Sequence, residues 1–218
     1  MEGSTAPEAK AKAAVLRVAA ISGSLRRGSA NTGLIRAAKE ICEESIPGMV
    51  IDHVDISGLP LLNTDLEVDG GFPPAVEAFR AKVRAADCFL FANPEYNYSI
   101  SGPLKNALDW GSRPPNCWAD RAAAILSASG GSGGSRSQYH IRQVGVFLDI
   151  HFINKPELFI RAHQPPKKFD SDGNLIDPEI REELKNVLLS LQAFALRLQC
   201  KASASEHAAM SSSSDKGD

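Results

Sequence analysis

Charge of one sign is missing from this sequence: 24 Lys+Arg stand against 26 Asp+Glu, a formal net charge of −2. A nucleic-acid binder ordinarily carries a basic excess on one face, so no nucleic-acid partner is expected. The same count disfavours a strongly acidic electron carrier steered to protein partners by its field. Cysteine is scarce and scattered. Cys42, Cys88, Cys117 and Cys200 form neither a C-x-x-C pair nor a Cys/His cluster, which argues against a disulfide scaffold and leaves four small thiols of a reducing compartment. His53, His140, His151 and His163 keep no metal-ligand spacing, so each is expected to be structural and no metal is expected. No apolar run reaches the roughly 20 residues of a membrane helix, so no integral membrane segment is expected. The chain opens without a basic-then-apolar signal, and Met1-Glu2 is not a myristoylation start. The expected compartment is the cytoplasm, with peripheral association at a membrane left open.

What is present is the composition of a soluble globular domain, 43% hydrophobic and 23% charged over 218 residues. Residues 1–14 have no apolar face and are expected to form a disordered leader. Residues 201–218, Ser-rich and polar, are expected to form a disordered tail. Neither repeat nor linker divides 15–200, so one domain is expected there.

Within it, strand and helix patterns alternate. Val15–Ser22 and Cys88–Ala92 are apolar runs suited to buried parallel strands. Val50–Ile56 alternates as an edge strand does, Ala122–Ala128 is a further strand, and Glu157–Ile160 a short last one. Helical spacing recurs in Leu34–Cys42, Pro74–Ala86, Pro103–Trp110 and Gln138–Phe147. The clearest helix carries Ile180, Leu184, Val187, Leu188, Leu191, Ala195 and Leu198, with Asp177 as its N-cap and Pro178 at its first position. Five strands alternating with five helices imply an α/β fold, a parallel sheet covered on both faces. Ligands of such sheets sit beyond the carboxyl ends of the strands, so the loops after strands one, three and four are where chemistry is to be sought.

The first of these loops, Gly23-Ser24-Leu25-Arg26-Arg27-Gly28-Ser29-Ala30-Asn31-Thr32, places hydroxyls and arginines before a helix N-terminus, which fits a phosphate dianion. An ordinary turn capped by Ser29 or Asn31 is the plainer alternative. The loop is neither G-x-G-x-x-G nor a P-loop, and no G-x-S-x-G occurs for a hydrolase. The second, Asn93-Pro94-Glu95-Tyr96-Asn97-Tyr98-Ser99, offers backbone amides and a ring to a flat polar heterocycle. The third, Ser127 to Tyr139, has glycines at 130, 131, 133 and 134 that let a ligand approach the backbone. Asp170-x-Asp172-Gly173-Asn174 has its Gly at the fourth position and Arg181 at the twelfth, so it reads as a turn before the last helix, not a calcium loop.

The three loops together resemble the NADPH-dependent FMN reductase family, which is flavodoxin-like. The resemblance rests on G-S-L-R-x-x-S-x-N (Gly23 to Asn31), N-P-E-Y-N-x-S-x-x-G-x-L-K-N-A-x-D-W (Asn93 to Trp110) and S-x-G-G-x-G-G-x-R ending at Arg136. With N-K-P-E at Asn154 to Glu157, the chain is most similar to the plant-type NADPH:quinone oxidoreductase branch. The resemblance implies a three-layer sandwich with five parallel strands in the order 2-1-3-4-5. It implies non-covalent FMN, with NADPH or NADH as co-substrate and a quinone as acceptor. Ser24, Leu25, Arg26, Ser29 and Asn31 would then hold the FMN phosphate. Pro94, Glu95, Tyr96 and Asn97 would border the ring, and Ser129, Gly130 and Gly131 would close its far side. Tyr96, Tyr98 and Tyr139 are candidates for the acceptor pocket, and no single indispensable acid or base is expected. The cation for a 2′-phosphate is Arg27 or Arg136. Family members are often dimers or tetramers, so Arg136, Tyr139 and Glu157 are candidates for a subunit interface; an intrachain ion pair is the alternative. The implied activity is two-electron, ping-pong reduction of quinones by hydride transfer through FMN N5. Reduction of free flavin, azo dyes or chromate, or a flavodoxin-like carrier role, are the alternatives.

Overall fold

The computed structural model describes residues 15–214 in backbone and 15–200 in side chains; the expected leader, 1–14, and residues 215–218 lie outside the described residues. A parallel sheet holds β1 (Leu16–Ser22), β2 (Met49–His53), β3 (Cys88–Ala92), β4 (Arg121–Ser129) and β5 (Ile150–Phe152) in the order β2-β1-β3-β4-β5. This is the expected order, with β2 at one edge. Its helices are α1 (Ala30–Ser45), α2 (Pro74–Arg84), α3 (Gly102–Ser112), α4 (Ser135–Leu148) and α5 (Pro178–Ser214).

Strand periodicity divides the core into two layers. Val18, Ala20, Leu90, Ala124 and Leu126 face α1 and α5, where Leu34, Ile35, Ala38, Leu184, Leu188 and Leu191 meet them. The intervening Ala19, Ile21, Phe89, Phe91, Ala123 and Ile125 face α2, α3 and α4, packing on Phe79, Val83, Leu104, Leu108 and Ile141. Asp177 caps α5 as expected, its Oδ1 accepting the N–H of Glu179 at 3.0 Å and of Ile180 at 3.1 Å. Cys42, Cys88 and Cys117 are buried free thiols, and burial pushes Cys88 up to about 12 and Cys42 to about 11, so both stay protonated.

Two features differ from the sequence reading. The edge beside β4 is made by two short strands rather than one: β5 pairs with Arg121–Ala123, and β6 (Leu158–Arg161) pairs with Leu126–Ser129. Between them lie Asn154, Lys155 and Pro156, and proline has no N–H to give a ladder. A three-residue strand is also too short to show alternation. Backbone helix in α5 continues over 201–214, where a disordered tail was expected. Alanine is the strongest helix former and recurs there at 202, 204, 208 and 209, so local propensity supplies helix where no apolar face was visible.

Arg80 is wholly buried, and its guanidinium donates to main-chain carbonyls. Its Nη1 donates to the carbonyls of Trp110 at 2.7 Å and Arg113 at 2.8 Å, and its Nη2 to Pro115 at 2.9 Å. The guanidinium also lies 4.2 Å over the Phe72 ring. A cation at the negative end of α3 satisfies carbonyls that the helix leaves unpaired. Since α3 starts at the sheet's carboxyl edge, Arg80 fixes its far end. Replacement Arg80→Met is expected to destabilise the fold by about 3–5 kcal/mol, because several buried carbonyls lose their donor; urea unfolding at neutral pH measures it, and a change below about 1 kcal/mol contradicts this account.

Candidate active site

The loops after β1, β3 and β4 meet at the carboxyl edge and are tied in pairs by side chains. The first tie is at Gly23, whose N–H donates to Ala92 O at 2.8 Å. Ser101 Oγ lies 2.7 Å from both Gly23 O and Asn93 Oδ1. A Cβ at Gly23 would stand 1.9 Å from Asn93 Oδ1, so only glycine allows this approach. The second tie joins the first and third loops. Asn31 Nδ2 donates to Ala128 O at 2.9 Å while Asn31 Oδ1 accepts the Ala128 N–H at 3.0 Å. The third joins the second and third loops: Glu95 N–H donates to Ser129 Oγ at 3.1 Å, and the Glu95 carboxylate reaches Ser132 and Arg136.

These ties enclose a cavity of about 400 Å³ lined by Arg26, Ser29, Ala30, Asn31, Pro94, Glu95, Tyr96, Ala128, Ser129, Gly130, Ala162 and His163. That volume lies within the roughly 300–1,000 Å³ of small-molecule sites. A hollow of about 460 Å³ between β2 and α2 is lined largely by alanine and valine with Arg17, Asp52 and Lys82, and it touches none of the three loops. The first loop presents the exposed Arg26 and half-buried Ser24 beside the N-terminus of α1, where Ser29 Oγ caps Thr32 N–H at 3.5 Å. Gly130 and Gly131 have open space where a Cβ would project. A cation, hydroxyls and a helix N-terminus at one end, with a bare backbone wall at the other, fit a phosphate joined to a planar ring. FMN therefore fits the residues present.

The expected residues fall into groups. Arg26, Ser29, Asn31, Pro94, Glu95, Tyr96, Ser129 and Gly130 line the cavity, whereas Ser24, Leu25, Asn97 and Gly131 stand beside it. Asn31 lines it with its amide oxygen and one of its two amide N–H groups bonded to Ala128. That pairing holds the loop. Tyr96 and Tyr98 are exposed at a tight turn closed by Tyr96 N–H to Ser99 O at 3.2 Å and Ser99 N–H to Tyr96 O at 2.9 Å. Asn97 and Tyr98 take φ of 50° and 66°. A bulky side chain rarely adopts that region, at a cost of about 1–3 kcal/mol. Arg136 offsets it by stacking 3.9 Å over the Tyr98 ring.

Arg136 is thus accounted for inside the chain. Its Nη1 pairs with Glu95 Oε1 at 2.9 Å, and its N–H donates to Glu95 Oε2 at 3.1 Å. Glu157 pairs with Lys155 at 2.7 Å and lies 3.4 Å from Tyr139 Oη. Within the chain Arg136 is thus paired with Glu95 and Glu157 with Lys155. Desolvation pushes the Glu95 carboxyl up, but hydrogen bonds from Ser132, the Arg136 guanidinium and the Arg136 N–H outweigh it and hold the group below the ordinary 4.5. Sequence reasoning missed three parts of this site: Ser132 under Glu95, the Ser99–His140 contact of 2.8 Å, and His163 in the cavity wall. His163 arrives on the turn after β6, where Ala162 N–H donates to Ser129 O at 2.9 Å, a pairing that no local motif announces.

The model of the family described as NADPH-dependent FMN reductase matches residues 16–164, which contain all three loops. The chain belongs to that family. It is 88% identical over 209 residues to a probable NADPH:quinone oxidoreductase of Oryza sativa subsp. japonica, covering 96% of this chain and all of the relative. It is 66% identical to the NADPH:quinone oxidoreductase of Arabidopsis thaliana, over 86% of this chain and 95% of the relative. Among solved structures it is similar to FerB, a flavoenzyme NAD(P)H:(acceptor) oxidoreductase from Paracoccus denitrificans, with a TM-score of 0.71 and 28% identity over 85% of this chain and 98% of that one.

The Glu95–Arg136 pair sets a pH dependence. The folded-state pKa of Glu95 lies below 4.5, so its stabilisation is complete above about pH 4.5 and is lost as pH falls through the lower native value. The difference in melting temperature between the native chain and Glu95→Gln should be constant from pH 5 to 7 and shrink toward pH 3; a difference that stays level across that range contradicts the assignment.

Proposed function

We propose that this protein is an FMN-dependent NAD(P)H:quinone oxidoreductase built on one domain of residues 15–200 and working in the cytoplasm. The observation that carries the reading is the single cavity in which Arg26 and Ser29 at the start of α1 face Pro94, Ser129 and Gly130 across the sheet edge. Bound there, FMN supplies two-electron chemistry between a nicotinamide and a quinone. The residues supply binding and orientation. Ser24, Arg26, Ser29 and the first N–H groups of α1 hold the phosphate, with Leu25 contributing backbone. Pro94–Asn97 and Ser129–Gly131 hold the ring between two backbone walls, and exposed Tyr96 and Tyr98 flank the mouth through which donor and acceptor enter in turn. With Arg136 balanced by Glu95, the exposed Arg27 is the cation left for a 2′-phosphate.

An anaerobic absorbance titration tests this reading. NADPH should bleach the flavin bands of the FMN-loaded protein, and one equivalent of benzoquinone should restore them. Bands that stay oxidised under NADPH point to a carrier or sensor served by another reductant. Recovery with chromate or an azo dye but not with quinone points to a different acceptor class.

We also propose that the protein is a homo-oligomer assembled through α4. Tyr139, Val146 and Phe147 are exposed on that helix, the last two by 82% and 89%. Two adjacent apolar side chains so fully exposed are a surface that a second copy would cover, and Tyr139 on the same helix contacts Glu157. Phe147→Asp should reduce the mass seen by light scattering on a sizing column; an unchanged mass assigns the interface elsewhere.

A further inference from the structure

The turn formed by Asp170, Asp172, Gly173 and Asn174 has no part in the function above, yet it is packed against the first loop. Its Asp170 carboxylate is turned inward on the turn's own backbone and side chain. Asp170 Oδ1 accepts the N–H groups of Asp172 at 2.9 Å and Asn174 at 2.8 Å, and Asp170 Oδ2 accepts Asn174 Nδ2 at 2.9 Å. Phe169, buried in the core, anchors one side.

The turn's backbone presses directly on that of residues 28–33. A Cβ at Gly33 would fall 1.6 Å from Gly173 O, and one at Gly28 would fall 3.1 Å from Ser171 O. In the other direction, a Cβ at Gly173, where φ is +79°, would fall 2.7 Å from the carbonyl carbon of Ser29. Three glycines thus permit a contact of main chain on main chain. Arg36, one turn into α1 beyond Gly33, clamps it from outside: Nε donates to Asn174 Oδ1 at 2.8 Å and Nη2 to Asp172 O at 3.0 Å. Gly28, Gly33, Gly173, Asn174 and Arg36 are not among the residues that line the cavity.

We propose that the 170–174 turn is a positioning element for the phosphate end of the site, fixing Gly28 and Ser29 so that the chain takes FMN in preference to riboflavin. Gly173, Asn174 and Arg36 are its positioning residues. The inference rests on the reading of the first loop as the phosphate site. Coupling of this kind is reciprocal, so a phosphate bound to the loop also steadies the turn.

Two measurements on the full-length apoprotein test it: affinities for FMN and riboflavin by quenching of flavin fluorescence, and amide hydrogen exchange. Gly173→Ala should weaken FMN binding by about tenfold and riboflavin binding by less than about twofold. Arg36→Lys keeps the charge but loses the forked contact, so it should weaken FMN binding by about threefold, as Arg36→Gln does. FMN should slow exchange at Asp172, Gly173 and Asn174, and riboflavin should not. An Arg36→Lys chain with native affinity would mean that Arg36 acts by charge alone and would overturn the proposal. Equal losses for both flavins, or an FMN effect on exchange no larger than riboflavin's, would also overturn it. Should Gly173→Ala fail to fold, the Arg36 variants and the exchange data still decide. A native chain that binds riboflavin and FMN equally defeats the phosphate reading itself; one that binds FMN more tightly while the variants match it defeats only the turn.

Discussion

A parallel sheet pairs backbone groups along its strands and leaves those just beyond the carboxyl ends without a ladder. Everything at this site depends on how those groups are satisfied. Here the Asn31 side-chain amide takes both the N–H and the C=O of Ala128, acting as one more residue of strand at the end of β4. An amide is the one uncharged side chain that donates and accepts in the geometry of a peptide. The pairing draws the N-terminus of α1 to the end of β4, and that distance defines the cavity. The first and second loops are joined by Ser101 and Asn93, the second and third by Glu95. The three loops are therefore one rigid edge rather than three mobile connections.

Charge is handled so that the cavity keeps only what a ligand needs. Glu95 in the cavity wall is neutralised by Arg136 behind it, and the pair holds in place a turn whose backbone would otherwise resist. Arg80, deep in the opposite layer, gives both its terminal nitrogens to carbonyls at and just beyond the far end of α3. Arg26 stays exposed at the cavity, its own hydrogen bond being a long 3.4 Å contact to Gly28 O. A positive group left thinly paired beside a helix N-terminus is a place for an anion.

Much of this was legible in the sequence because it rests on local rules. Alternating strand and helix patterns, Asp177 before Pro178, and Gly23 at the end of an apolar run each follow from short-range sterics and hydrogen bonding. The three loops were recognisable because glycine, hydroxyl and proline residues are grouped within a few positions of each strand's end. What was not legible depends on pairs far apart in the chain. The pairing of Asn31 with Ala128 is visible only when the two are placed side by side. The pairing of Arg136 with Glu95 is visible only when the second and third loops close on each other. β5 has three residues and borrows its identity from Arg121–Ala123.

The sequence by itself determined the fold class, the strand order through its family resemblance, and the segments proposed to meet a flavin phosphate and ring, since each depends on residue types within a few positions of one another. Tertiary structure decided which of those residues remain free to act. It spent Asn31 on Ala128 and Arg136 on Glu95, brought His163 into the wall, and set the 170–174 turn against Gly28 and Ser29. The physical reason is that a hydrogen-bonding group is available to a ligand only when nothing nearer has taken it, and the nearest partner in space is here some 40 to 140 positions away in sequence.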